Sequence, residues 1–189
     1  MKTRITYGLL LLAAFTLALI GCRPPPCVNF ESPLSIGETY GRPAGQRIGD
    51  LAFIEDNIHV TVDNFYTRGQ TVYFEYAEIL SPPSGFGSGQ SIHATNINLR
   101  FDFSSLGYPV TRASFQYQDM GGLVNLATDD VAFRGELSEY AGSLGLASVE
   151  VTSTLVDGGE RGTVVLTGAM DGIIIGGENI WIDDVCPSP

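Results

Sequence analysis

A two-residue alternation of apolar and polar side chains limits what this chain can fold into more than any other feature. Between Thr95 and Phe103, Ile97, Leu99, Phe101 and Phe103 alternate with Asn96, Asn98, Arg100 and Asp102. Successive side chains of an extended strand point to opposite faces, so the pattern predicts a strand with one dry and one wet face. The same period recurs over Asn57–Phe65, Thr71–Ile79 and Val110–Gln118. Leu123–Ala127 and Val131–Leu137 read as shorter strands, and Val149–Val156 with Thr163–Thr167 as a hairpin around Asp157–Gly162. Ile173–Ile175 and Ile180–Val185 close the chain. No stretch sustains a 3.6-residue apolar period, and 23 glycines punctuate the sequence. About nine or ten short strands with one wet face each predict antiparallel sheets. The expected fold class is an all-β antiparallel β-sandwich of jelly-roll form, with a closed barrel as the alternative. Phe30–Gly49 reads as a long ordered loop, and Ser81–Gln90 (SPPSGFGSGQ) as a flexible one.

The first 22 residues are read as a targeting segment. Lys2 and Arg4 precede an apolar run, Leu9–Ile20, of signal-peptide length and too short for a comfortable membrane span. The run ends Leu19-Ile20-Gly21-Cys22, which resembles the bacterial lipobox. That resemblance implies cleavage before Cys22 and acylation of its thiol. Residues 1–21 are then the lipoprotein signal peptide, residues 22–29 the acylated Cys with its Pro-rich tether, and residues 30–189 a single domain. More than one acyl chain gives stable membrane anchoring. Arg23 follows the Cys where an Asp would resemble an inner-membrane retention signal, which points to the outer membrane of a Gram-negative envelope.

Export fixes the fate of the other thiols. Of three Cys, Cys27 and Cys186 remain once Cys22 carries lipid. In an oxidising compartment two leftover thiols pair, and the expected bridge brings the two ends of the domain together. Processing also removes Lys2 and Arg4 from the ten basic residues, leaving eight against 21 acidic ones, a net charge of −13. Such a surface repels nucleic acid and attracts divalent cations.

Two stretches resemble the ends of galactose-binding-like jelly-roll domains, the fold of many carbohydrate-binding modules. They are Val28-Asn29-Phe30-Glu31 near the start and Trp181-Ile182-Asp183-Asp184-Val185 at the end. The segment Arg112–Leu126 is similar to a core hairpin of the same domains. The resemblance implies neighbouring terminal strands and a structural calcium ion, with Glu31 and Asp183 or Asp184 as its ligands. Calcium takes several carboxylate and carbonyl oxygens, which suits these residue types. Alternation sends Asp183 and Asp184 to opposite faces, so one of the two is expected to ligate.

No motif for catalysis stands out. His59 and His93 lie in no paired metal motif, and neither a GxSxG elbow nor a P-loop is present. The expectation is a non-catalytic, envelope-anchored binding module for glycans. Its polar face would carry Asn98, Arg100 and Asp102, with Arg112, Gln116 and Gln118 beside them; Tyr66, Tyr73 and Phe86 could offer rings. The alternative is a structural or protein-partner-binding envelope lipoprotein without sugar affinity.

Overall fold

A computed structural model describes residues 25–128 and 131–189. The expected signal segment and Cys22 lie outside the described residues. The fold is two antiparallel sheets packed face to face, a β-sandwich. One sheet runs in the order β1 (Thr39–Gly41), β5 (Tyr76–Leu80), β6 (Ser91–Thr95), β15 (Ile180–Ser188), β8 (Val110–Asp119), β13 (Gly159–Met170), β12 (Ala147–Val156) and β11 (Gly142–Leu144). The other runs β10 (Val131–Gly135), β9 (Val124–Thr128), β14 (Gly172–Gly177), β7 (Ile97–Asp102), β3 (Ile58–Tyr66) and β2 (Leu51–Glu55), with β4 (Val72–Tyr73) paired to β3. We call these the large and the small sheet.

Alternation builds the core as expected. Val62, Leu99, Ile175, Leu126 and Phe133 align across the small sheet and face inward. Phe115, Tyr117, Ile180 and Ile182 face them from the large sheet, all essentially inaccessible to solvent. At about 25 cal/mol per Å² of apolar area buried, aromatic and β-branched side chains of this kind dominate the stability.

The ends of the domain are tied together. Cys27 and Cys186 form a disulfide with a Cα–Cα distance of 4.2 Å. Next to it, Val28 and Val185 exchange both backbone hydrogen bonds at 2.9 Å. Val28 is fully buried, so the sandwich already begins at Cys27–Asn29, residues that the sequence assigned to the tether.

Three local readings are corrected. Thr71–Ile79 is not one return strand. It breaks at Phe74–Glu75, where the chain leaves the small sheet (β4) for the large one (β5). The crossing resets the alternation, so Ala77 and Ile79 point inward and Val72 is exposed. Similarly, the run beginning at Thr95 contains a sheet switch. Asn96 takes φ 49° and turns the chain from β6 in one sheet to β7 in the other. Finally, Ser81–Gln90 is a loop held by side chains of Glu31, Arg161 and Asp183.

Candidate functional site

The polar face of β7 belongs to a cleft of about 280 Å³ on the outer surface of the small sheet. Strand register creates it. Asp63 on β3, Asn98 on β7, Gly176 on β14, Asn125 on β9 and Arg134 on β10 stand in one row across five strands. A second row, two residues along, holds Arg100, Ile174, Ala127 and Ala132. One row is polar; the other carries an apolar strip of Ile174, Ala127 and Ala132.

Gly176 shapes the floor. A Cβ there would collide with the Ile97 carbonyl and with Asn98 Oδ1. Its absence lets the amides on either side meet: Asn98 Nδ2 donates to Asn125 Oδ1 at 3.2 Å and to the Asn64 carbonyl at 2.6 Å. Asn125 in turn behaves like a strand residue. Its Oδ1 accepts from the Tyr66 N–H at 2.8 Å and its Nδ2 donates to the Tyr66 carbonyl at 2.9 Å. This pair fixes Tyr66 at the wall of the cleft, where the Arg134 guanidinium lies 4.7 Å from the centre of its ring. Asn98 Oδ1 is buried and has no hydrogen-bond partner, so the row is not fully satisfied from within.

The expected ligand-binding residues divide. Asn98 lines the cleft, and Arg100 and Asp102 follow it outward along β7. Gln116 does not join them. With Arg112 and Gln118 it lies on β8 of the large sheet, because the two alternating strands that looked adjacent belong to opposite layers. Its Nε2 donates to Asp184 Oδ2 at 2.6 Å.

The outer face of the large sheet carries the terminal carboxylates and the Ser81–Gln90 loop. Asp183 Oδ2 accepts from Ser91 Oγ at 3.0 Å and the Ser88 N–H at 3.4 Å, and Glu31 Oε1 accepts from the Gln90 N–H at 2.7 Å. Arg161 donates to the carbonyls of Ser84 and Gly85 and covers Phe86, which is buried. Composition suggested mobility; one aromatic and three charged side chains overrule it. Phe86 therefore cannot serve as an exposed platform.

A β-bulge alters the expected facing of Asp183 and Asp184. Ile180, Ile182, Val185 and Pro187 are buried, leaving two residues between the inward Ile182 and Val185 instead of one. Asp184 takes φ 48°, and its carboxylate emerges beside Asp183, on the side of Gln116. Burial, followed by the neighbouring Asp184 carboxylate, pushes Asp183 up to about 6. Among the described residues no three His, Cys, Asp or Glu side chains converge to hold a metal. Glu31, Asp183 and Asp184 use oxygens as acceptors for the loop and for Gln116.

His93 and Trp181 stack on the same outer face, ring centroids 4.7 Å apart, and His93 Nε2 lies 2.7 Å from Asn179 Oδ1. Trp181 thus takes the outward position that alternation gives it. Asp63, Asn125, Arg134 and Ile174 were not singled out from the sequence. Asn125 carried the one available signal, a polar residue alternating with Val124 and Leu126.

Fold and cleft together define a β-sandwich with a charged and amide-lined depression on one outer face. Scans against protein-family models, curated proteins and solved structures returned no match.

Proposed function

We propose that this chain is a non-catalytic, lipid-anchored protein of the bacterial cell envelope whose sandwich binds glycans in the cleft of the small sheet. The observation that carries the reading is the pairing of the two rows. Asp63, Asn98 and Arg134 supply hydrogen-bonding groups. Tyr66, Ile174, Ala127 and Ala132 supply apolar contact beside them. Sugar rings present the same combination, hydroxyl edges around apolar C–H faces, and binding sites of this kind combine apolar lining with a few placed polar groups. The galactose-binding-like jelly roll and the calcium ion at Glu31, Asp183 and Asp184 belong to this proposal through the sequence resemblance.

A glycan array probed with the full-length protein tests it. Binding that disappears in Arg134→Ala and persists in Gln116→Ala supports the cleft; an array blank at high protein concentration sinks the glycan reading. The second reading, a partner-binding lipoprotein, is favoured by β2. It is the terminal strand of the small sheet, and its Leu51 and Ile54 are exposed. A terminal strand with exposed apolar side chains is suited to pairing with another chain.

A further inference from the structure

We infer that the free edge of β12 pairs with the same edge of a second copy of this chain, antiparallel about a two-fold axis. The pairing lies in the large sheet, away from the cleft, and does not rest on the glycan reading. β12 is paired along one side to β13, from Ser148 to Val156. On its other side β11 covers only Ala147–Val149. Among the described residues no strand pairs with Glu150–Val156 on that side. An unpaired row of backbone N–H and C=O groups is a template for another strand. Edges are ordinarily blunted by shortness, charge, Pro or a covering segment. At the opposite end of the large sheet, β1 is only 3 residues long. In the small sheet, Gln46 Nε2 donates to the Leu51 carbonyl of β2 at 2.9 Å. The run Glu150-Val151-Thr152-Ser153-Thr154-Leu155-Val156 has a single charge, no Pro and no Gly, and its Val and Thr favour extended pairing. Thr152, Ser153, Thr154 and Leu155 are exposed in succession, on both faces of the strand. Val149, Val151 and Leu155 share one face by alternation. The two valines pack on the core, whereas Leu155 is 90% exposed.

The symmetry of this edge selects a second copy as its occupant. The free run is bounded by β11 at one end and by the β12–β13 turn at the other, and its midpoint is Ser153. A two-fold axis at Ser153 sets Val151 opposite the partner's Leu155, Thr152 opposite its Thr154 and Glu150 opposite its Val156. Each bare Leu155 then covers a Val151, the threonines pair on the other face, and the two Glu150 carboxylates never meet. Cross-strand pairs of these kinds stabilise a ladder, and a two-fold contact uses one self-complementary patch on both copies. An unrelated strand would have to supply the same pattern; this chain already carries it. The run is short beside the about 20–30 residues a side of a standard interface. Acidic residues also outnumber basic ones by 21 to 10 in each copy. Pairing is therefore expected at high protein concentration, with salt to screen the repulsion.

The test is cross-linking of the full-length protein in detergent, with micelles in excess, over a concentration series. In Ser153→Cys the two introduced thiols face each other across the axis at a Cα separation of about 4.5–5.5 Å, which a disulfide spans. Mild oxidation should join the copies, increasingly as concentration rises. Leu146→Cys, at a position 84% exposed in the turn that opens β12, should stay monomeric. Sedimentation of the chain without added Cys gives a second readout. Leu155→Lys alters a bare position, so it should keep the unfolding midpoint while weakening the dimer about tenfold or more, because two Leu–Val pairs are lost. A monomer at every concentration overturns the inference. So does equal cross-linking through Ser153→Cys and Leu146→Cys, a dimer untouched by Leu155→Lys, or a Ser153→Cys cross-link to a different protein with none to a second copy. Each of these results leaves the glycan reading standing.

Discussion

Val28 and Val185 exchange two backbone hydrogen bonds at 2.9 Å one residue inboard of the Cys27–Cys186 bridge, so the segment that opens the domain is fastened twice to its last strand. The disulfide closes a loop spanning 159 residues. In the chain-entropy view such a bridge restricts the unfolded chain strongly, and native bridges are worth about 2–5 kcal/mol. Cys27→Ser/Cys186→Ser is expected to lower stability by that amount in denaturant unfolding. The folded state should keep its β-sheet circular dichroism, because the Val28–Val185 pairing and the buried Phe30 remain. An unchanged midpoint would show that the backbone pairing alone holds the ends.

Asp119 couples stability to pH. Burial, with Glu136, Glu160 and Glu178 nearby, pushes its carboxyl up to about 6, although the Gly121 N–H donates to Oδ1 at 2.8 Å. Its Oδ2 is buried without a partner. The folded state therefore holds this proton more tightly than the unfolded chain, whose Asp titrates near its ordinary value of about 3.9. Stability conferred by the proton is present below the unfolded value and declines as pH rises toward about 6. Asp183 acts in the same direction over the same window. Asp119→Asn keeps the acceptor for Gly121 and removes the buried charge. It should flatten part of the decline between about pH 4 and 6 and raise stability at pH 7.5 by about 1–2 kcal/mol. A pH profile parallel to the wild type would refute the assignment.

Much of this was legible in the sequence for a simple reason: alternation is a local signal. Ile97, Leu99 and Phe101 announce which face of β7 is buried without reference to any other strand. The compartment argument likewise found the Cys27–Cys186 pair with no structural input. Register is not local. Nothing in the stretch around Asn125 says that Gly176 and Asn98 stand beside it, and nothing around Gln116 says that it faces away from Asn98. A site assembled from five strands in one sheet is visible only once the pairing is known. The Gly-rich loop was misread for a related reason. Its composition is flexible, but Glu31, Asp183 and Arg161 restrain it from positions far away in sequence.

Phe86 tests that restraint. It is the one large apolar side chain in Ser81–Gln90, and it is buried beneath Arg161. Phe86→Ala should free the loop, with a global cost of about 1–3 kcal/mol, lower than for a central core position because the loop can detach independently. Limited proteolysis should then cut between residues 81 and 90 many times faster than in the wild type. Equal cleavage rates would mean that the hydrogen bonds to Glu31 and Asp183 hold the loop by themselves.

Calcium at the terminal strands is checked by thermal unfolding with and without a chelator. A cation held only by the folded state raises the midpoint as its concentration exceeds the dissociation constant. The expected result is a calcium-dependent rise that Glu31→Gln and Asp183→Asn remove and Asp119→Asn leaves in place. Superimposable curves would dismiss the ion and leave Glu31 and Asp183 as anchors of the loop alone.

Gly176 links stability to the cleft. It sits between Asn98 and Asn125, and a methyl group there would strike the Ile97 carbonyl and Asn98 Oδ1. Gly176→Ala must push β7 and β14 apart or expel the Asn98 amide, at about 2–4 kcal/mol. Asn125→Ala fails differently. It strips the Tyr66 N–H and carbonyl of their partners and leaves Asn98 Nδ2 only the Asn64 carbonyl. Its cost should be about 1–3 kcal/mol, the usual penalty for unsatisfied buried groups. If the amide row acts as one network, the double variant should cost less than the sum of the two, because Asn98 is displaced in either case. Strict additivity in denaturant unfolding would show that the two amides act separately, and that Gly176 matters for strand packing alone.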